Sequence, residues 1–237
     1  MKKTITLLFI LQLIACGGQE DSNSPDNLQV DAPVTESATD EMAISLKPLP
    51  GLDDVVPVLT QKSTLLMQTG TGEIVIEIYP EAAPNAAARF LELVEAGFYD
   101  DTPVFRVVPD FVAQFGINWR DNYPLWQDNN FNDDPSLFAL ERGTLAFAKA
   151  GPDTNSTQVF INYIENNRLA EPRYNFTVFG KVVSGMEAVD AFIPVGDPGG
   201  GLDQARLWND GATYLDSLTT KPVMIETVSI VGANVSP

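Results

Sequence analysis

Phe105-Arg106-Val107-Val108-Pro109-Asp110-Phe111-Val112-Ala113-Gln114-Phe115-Gly116 sets one arginine and one glutamine inside an otherwise apolar run. The residues before Pro109-Asp110 alternate, and Val112 and Gln114 share a face after it, so the stretch reads as strand, turn, strand. Folded back on itself, it lays Arg106 beside Gln114. A guanidinium next to an amide and a group of Phe side chains suits a shallow groove that grips a peptide carbonyl and buries a small apolar ring. The bland alternative is an arginine on a sheet face paired with a nearby carboxylate.

Two further blocks lie downstream. Gly143-Thr144-Leu145-Ala146-Phe147-Ala148-Lys149-Ala150-Gly151-Pro152-Asp153-Thr154-Asn155-Ser156-Thr157-Gln158-Val159-Phe160-Ile161-Asn162 is one, and Phe176-Thr177-Val178-Phe179-Gly180-Lys181-Val182 the other. The three in this order resemble the signature of the cyclophilin family of peptidyl-prolyl cis-trans isomerases, and the resemblance runs from about residue 64 to residue 231. It implies a mainly β fold, a closed eight-stranded antiparallel β-barrel capped by two α-helices. It also implies rotamase activity on X-Pro bonds in unfolded or partly folded proteins. Such chemistry makes and breaks no bond. It needs a surface that binds the twisted amide better than either planar form, and neither a metal nor a cofactor.

Carried over residue by residue, the resemblance makes Arg106 the catalytic group, donating to the prolyl carbonyl and favouring a pyramidal prolyl nitrogen. Phe111, Val112, Phe160 and Leu169 would hold the proline ring. Gln114 would orient Arg106 or touch the peptide, Ala148, Lys149 and Ala150 would present backbone along the groove, and Gln158 would line it. Five positions depart from the usual family residues: Val112 stands for Met, Phe115 for Gly, Lys149 for Asn, Arg168 for an aromatic residue and Phe176 for His or Tyr. Arg168 replaces a side chain that in cyclophilins contacts cyclosporin, which implies weak inhibition by that ligand. Two readings from other classes compete: a module that holds proline segments without turning them over, and a structural envelope lipoprotein that uses the fold as a scaffold.

Composition narrows the field further. The chain has 237 residues, a net charge of -18 and a pI near 4.1, and residues 61–237 alone hold 11 basic against 23 acidic residues. Nucleic acid, whose phosphates need clustered Lys and Arg, is excluded as a partner. There is no histidine and a single cysteine, which removes Ser-His and Cys-His machinery, the usual zinc sites and any intrachain disulfide. The acidic cluster at 128–134 lacks the glycine and the bidentate Glu of a calcium loop, so a solvated loop is expected there.

Met1-Lys2-Lys3 and the apolar run at 5–14 read as an export signal over residues 1–15, and Leu13-Ile14-Ala15-Cys16 resembles the lipobox of bacterial lipoproteins. The expectation is a lipid on Cys16, an acidic spacer over 16–60 and a monomeric isomerase domain over 61–237. That places it on the periplasmic side of the envelope, at the outer membrane by the Gly17 that follows the cysteine. Within the domain the pattern predicts a hairpin around Gly70-Thr71-Gly72, a helix over 85–96 and a last strand over 222–231. Ser184 and Glu187 fit a capping box that opens a second helix. The stretches 118–142 and 196–221 read as long loops, the first pinned to the body by Trp119, Tyr123 and Trp126.

Overall fold

The computed structural model describes residues 46–121 and 123–234. The export signal, Cys16 and most of the acidic spacer lie outside the described residues. In chain order the elements are β1 (Lys62–Thr69), β2 (Gly72–Ile78), α1 (Pro84–Glu95), β3 (Thr102–Pro103), β4 (Arg106–Val108), β5 (Val112–Phe115), β6 (Thr144–Phe147), β7 (Val159–Asn162), β8 (Val178–Ser184), α2 (Met186–Asp190), α3 (Gln204–Ser217) and β9 (Met224–Asn234). Every strand pairing is antiparallel, in one nine-stranded sheet of order β3-β9-β1-β2-β8-β6-β7-β5-β4.

Period-two alternation gives each strand two faces. One face carries Leu65, Ile76, Phe115, Leu145, Ile161 and Phe179 into a core that α1 seals with Phe90 and Leu93. Phe90 touches Tyr99 and Phe179 at centroid distances of 5.1 and 5.2 Å, and Tyr99 meets Phe115 at 5.4 Å. Phe115, where the family commonly has glycine, is therefore an interior side chain. The other face carries Val112, Ala146, Phe160 and Val178 into a second, smaller cluster.

Three expectations are corrected and one is met in part. Among the described residues the sheet has nine hydrogen-bonded strands, because the chain changes partners between β3 and β4. Val104 N donates to the Val223 carbonyl while Phe105 N donates to that of Gln114. The stretch 196–221 holds a third helix, α3. Asp203 caps it by accepting from Arg206 N at 3.0 Å, and Leu207, Trp208 and Tyr214 are buried. Gly211 (φ 37°, ψ -108°) kinks this helix where Trp119 packs against it, which interrupts the apolar period a sequence reading relies on. The capping box at Ser184 does not form: Gly185 is the N-cap, left-handed at φ 86°, and a Cβ there would stand 2.1 Å from the Glu73 carbonyl. Lastly, 46–60 is not spacer. Leu49 N donates to the Leu137 carbonyl, Ala139 N to that of Lys47, and Leu46, Leu49, Val56 and Leu59 join the second cluster.

The 118–142 stretch is irregular apart from a 3-10 turn at Tyr123–Trp126. Its aromatics hold it down as expected. Tyr123 packs edge-on against Phe98 at 5.3 Å, and Arg89 lies 5.2 Å from the Trp126 ring. The acidic cluster is not simply solvated. Asp134 is buried and accepts from Asn85 N and Ala86 N, supplying α1 with the cap that Ala83 cannot give. Burial raises the Asp134 carboxyl above the ordinary range, against those two bonds.

Candidate active site

The β4-β5-β7-β6 register places Arg106 opposite Gln114, Gln114 opposite Phe160, and Phe160 opposite Ala146. Arg106, Gln114 and Phe160 thus form a row on the outer face, as the alternation in the opening stretch requires. Arg106 Nη1 donates to Gln114 Oε1 at 3.0 Å, and its Nε donates to the Gly199 carbonyl at 2.7 Å. Its guanidinium carbon sits 5.7 Å from the centre of the Phe111 ring. No carboxylate lies within ion-pair distance of Arg106 among the described residues, which counts against the bland reading. Nη2 makes no hydrogen bond to the described residues and is left to donate elsewhere. Partial burial pulls the guanidinium below its ordinary value. Arginine stays cationic at neutral pH all the same.

Beside this row lies the apolar patch. Val112 and Phe160 are buried, Phe160 only 4% exposed, while Phe111, Leu169 and Phe176 pack against them half-buried. Phe160 and Phe176 meet edge to face at 5.6 Å, and Phe176 N donates to the Leu169 carbonyl at 2.9 Å. The turn that carries Phe111 depends on Asp110, left-handed at φ 57°. Asn166 Nδ2 holds the Phe111 carbonyl at 3.2 Å and also donates to Asn162 Oδ1. Arg168 is exposed and lies 5.7 Å from the Phe111 ring, at one end of a depression of about 520 Å³.

On the other side of Gln114 runs a groove of about 560 Å³, lined by Ala148, Lys149, Ala150 and Gln158 among others. Among the described residues, those read from the sequence as substrate contacts lie in the Arg106-Gln114-Phe160 row, in the apolar patch or along this groove; Cys16, read as the lipidation site, lies outside the described residues. Lys149 needs a finer statement: its side chain is 4% exposed and pairs with Asp133 and the Asn175 carbonyl, so it fixes the groove wall. An ion pair this dry is destabilising to break, because the remaining charge stays buried.

Sequence reading missed the contribution of the 196–205 segment. Gly199 holds Arg106, Leu202 N donates to the Phe105 carbonyl at 2.8 Å, and Gln204 accepts from Gln158 Nε2 at 3.0 Å. A Cβ on Gly201 would stand 2.5 Å from the Phe105 carbonyl and 2.6 Å from the Arg106 Cβ, so only glycine permits this approach. The Gly199-Gly200-Gly201 run was the available signal. It marks close backbone contact rather than a phosphate loop.

The family model described as "Cyclophilin type peptidyl-prolyl cis-trans isomerase/CLD" matches residues 64–205. A peptidyl-prolyl cis-trans isomerase of Acinetobacter baylyi is 38% identical over 130 residues, 52% of this chain and 68% of that protein. Peptidyl-prolyl cis-trans isomerase-like 3 of Dictyostelium discoideum is 33% identical over 140 residues, 56% of this chain and 85% of that protein. Among solved structures, a cyclophilin-type isomerase of Cryptosporidium parvum superposes with a TM-score of 0.53 at 22% identity, covering 72% of this chain and 98% of the other. The same protein has been crystallised in the presence of the dipeptide Ala-Pro. With that match across more than half its length, over the blocks that place Arg106, Gln114 and Phe160 in one row, the chain belongs to the cyclophilin-type peptidyl-prolyl cis-trans isomerases.

Proposed function

We propose that Arg106 is the catalytic group of this isomerase and that the patch of Phe111, Val112, Phe160, Leu169 and Phe176 holds the proline ring. The observation that carries this is a guanidinium fixed at two of its nitrogens, unpaired with any carboxylate among the described residues and set against Phe111. Rotation about an X-Pro bond crosses roughly 18–20 kcal/mol because amide resonance must be broken. A donor already in place at the prolyl amide stabilises the twisted form, in which the nitrogen is pyramidal and no longer conjugated. Orienting Arg106 before substrate arrives means that little reorganisation is left for the transition state. Gln114 supplies that orientation, and Ala148, Lys149, Ala150 and Gln158 border the path of the peptide. A binding module with no turnover could hold a peptide carbonyl with the same arginine, so the test is turnover of a proline peptide by the parent chain and by Arg106→Ala. Isomerisation by the parent that is lost in the variant supports the catalytic reading, and binding without isomerisation contradicts it.

Closure of the sheet belongs to the same reading. Consecutive residues Val104 and Phe105 donate to opposite ends of the strand order, which supports counting β3 and β4 as one kinked strand of a closed eight-stranded barrel.

The clients are proline-containing segments of unfolded or partly folded envelope proteins, reached by a monomer that a lipid on Cys16 tethers to the periplasmic face of the outer membrane. Support for the tether is the Leu13-Ile14-Ala15-Cys16 ending of an apolar run, followed by a polar acidic tract. A Cys16→Ser variant is expected in the soluble periplasmic fraction or unprocessed. Its recovery with membranes at mature size contradicts the anchor.

A further inference from the structure

The hydrogen bonds of the site form a chain with a direction. Arg106 Nη1 donates to Gln114 Oε1 at 3.0 Å, Gln114 Nε2 to Gln158 Oε1 at 2.7 Å, and Gln158 Nε2 to Gln204 Oε1 at 3.0 Å. A guanidinium has donors and no acceptor, so Gln114 must turn its oxygen toward Arg106. Its NH₂ then points at Gln158, which must present its own oxygen and turn its NH₂ toward Gln204. Arg106 therefore imposes one orientation on each amide, and the last of them requires an acceptor at position 204.

That last residue comes from the 196–205 segment, which also holds the other side of the guanidinium. Gly199 accepts from Arg106 Nε, and Gln204, the first residue of α3 behind the Asp203 cap, ends the chain from Nη1. The match to the family ends at residue 205, so all but the first two residues of α3 lie beyond it. Trp208 and Leu207, buried on the core side of α3, fix where position 204 stands.

We propose that Gln204 is a positioning residue for the isomerase reaction, the acceptor that locks the Gln158 and Gln114 amides and, through them, the Arg106 guanidinium. Linked hydrogen bonds polarise one another, so an acceptor at the far end strengthens the bond at the near end. A donor placed there reverses the demand. Gln158 would flip its oxygen toward position 204, its NH₂ would face the NH₂ of Gln114, and one bond of the chain would be lost. The proposal rests on Arg106 being the catalytic group.

The experiment measures kcat/KM for a proline peptide on the parent chain and on Gln204→Glu, Gln204→Lys and Asn209→Lys, each alone and combined with Arg106→Ala. Glu and Lys are of comparable length and differ in offering an acceptor or a donor. Gln204→Glu is expected to exceed Gln204→Lys by about fivefold, the scale of one hydrogen bond gained or lost. The effect should lie mainly in kcat, since the proline patch is untouched. Asn209→Lys, an exposed change on the same helix with the charge change of Gln204→Lys, controls for net charge. Rates are taken per folded molecule, because a cation at a helix N-terminus lowers stability on its own. In the Arg106→Ala background the Glu-Lys difference should vanish. Equal kcat for Gln204→Glu and Gln204→Lys, with Arg106→Ala impaired, overturns the proposal while leaving Arg106 in place. An Arg106→Ala chain as fast as the parent overturns the underlying reading instead.

Discussion

The two faces of the same strands make two apolar clusters that do different work. The inner one is sealed: Phe90, Phe98, Tyr99, Phe105 and Phe179 are fully buried, with α1 closing over them. The outer one is bordered by half-buried side chains, Leu49, Val56 and Leu59 from the 46–60 segment on one hand and Phe111, Leu169 and Phe176 on the other, with Phe111 lying against Arg106. Composition does not separate the clusters, since both are aromatic and aliphatic. What differs is the order of closure. A cluster packed on all sides spends its apolar area on stability, whereas one left open at an edge keeps area to bury against a ligand.

Substitutions on the two faces should therefore separate stability from turnover. Phe90→Ala, at the centre of the inner cluster, is expected to lower the free energy of unfolding by about 3–5 kcal/mol, read by denaturant titration. Turnover per folded molecule should hardly move. A large rate loss in the folded fraction would mean that the inner core shapes the groove as well. Phe111→Ala, at the open edge of the outer cluster, should do the opposite. It costs about 1 kcal/mol of stability or less, since the ring is half-buried. It raises KM for a proline peptide by roughly tenfold, the lower end of the range for lost apolar contact in a pocket. Equal stability losses for the two variants would erase the distinction drawn here.

The smallest expected effect concerns ligand preference at the same edge. Arg168 meets the Phe111 ring but covers it with an exposed guanidinium instead of an aromatic plane. Arg168→Trp should bind cyclosporin several-fold more tightly than the parent chain in a titration, through added apolar area. Tight binding by the parent would show that the residue at this position does not set the preference.

How much of this could be read beforehand follows from the same contrast. Period-two alternation around Pro109-Asp110 placed Arg106, Val112 and Gln114 on one face, and the register bears this out residue by residue. Contacts made by backbone left no such pattern. Leu46, Leu49, Val56 and Leu59 sit irregularly in an acidic, proline-rich tract, so their packing against the outer cluster has no periodic signature. The α3 helix was hidden for a different reason. Gly211 breaks its period, and its N-cap Asp203 follows a run of glycines that suggests a loop. Asp133 and Asp134 resembled a solvated acidic run because their partners, Lys149 and the start of α1, are remote in sequence. The strand positions of Arg106 and Gln114 were legible; the contacts of Gly199 and Gln204 were not, since only tertiary packing brings Gly199 to Arg106 and Gln204 to Gln158.

The account stands on Arg106 acting at the twisted amide and not as part of the framework. The most direct measurement takes one purified Arg106→Ala chain and determines its turnover on a proline peptide, its affinity for that peptide and its thermal unfolding. Turnover should fall by roughly a hundredfold or more, the scale for losing one preorganised donor at a transition state. Affinity and unfolding temperature should change little, because the proposed ring contacts of Phe111 and Phe160 are left in place and a half-buried arginine packs little of the core. A folded variant that isomerises at the parent rate, or one whose whole loss is a loss of stability, would contradict it.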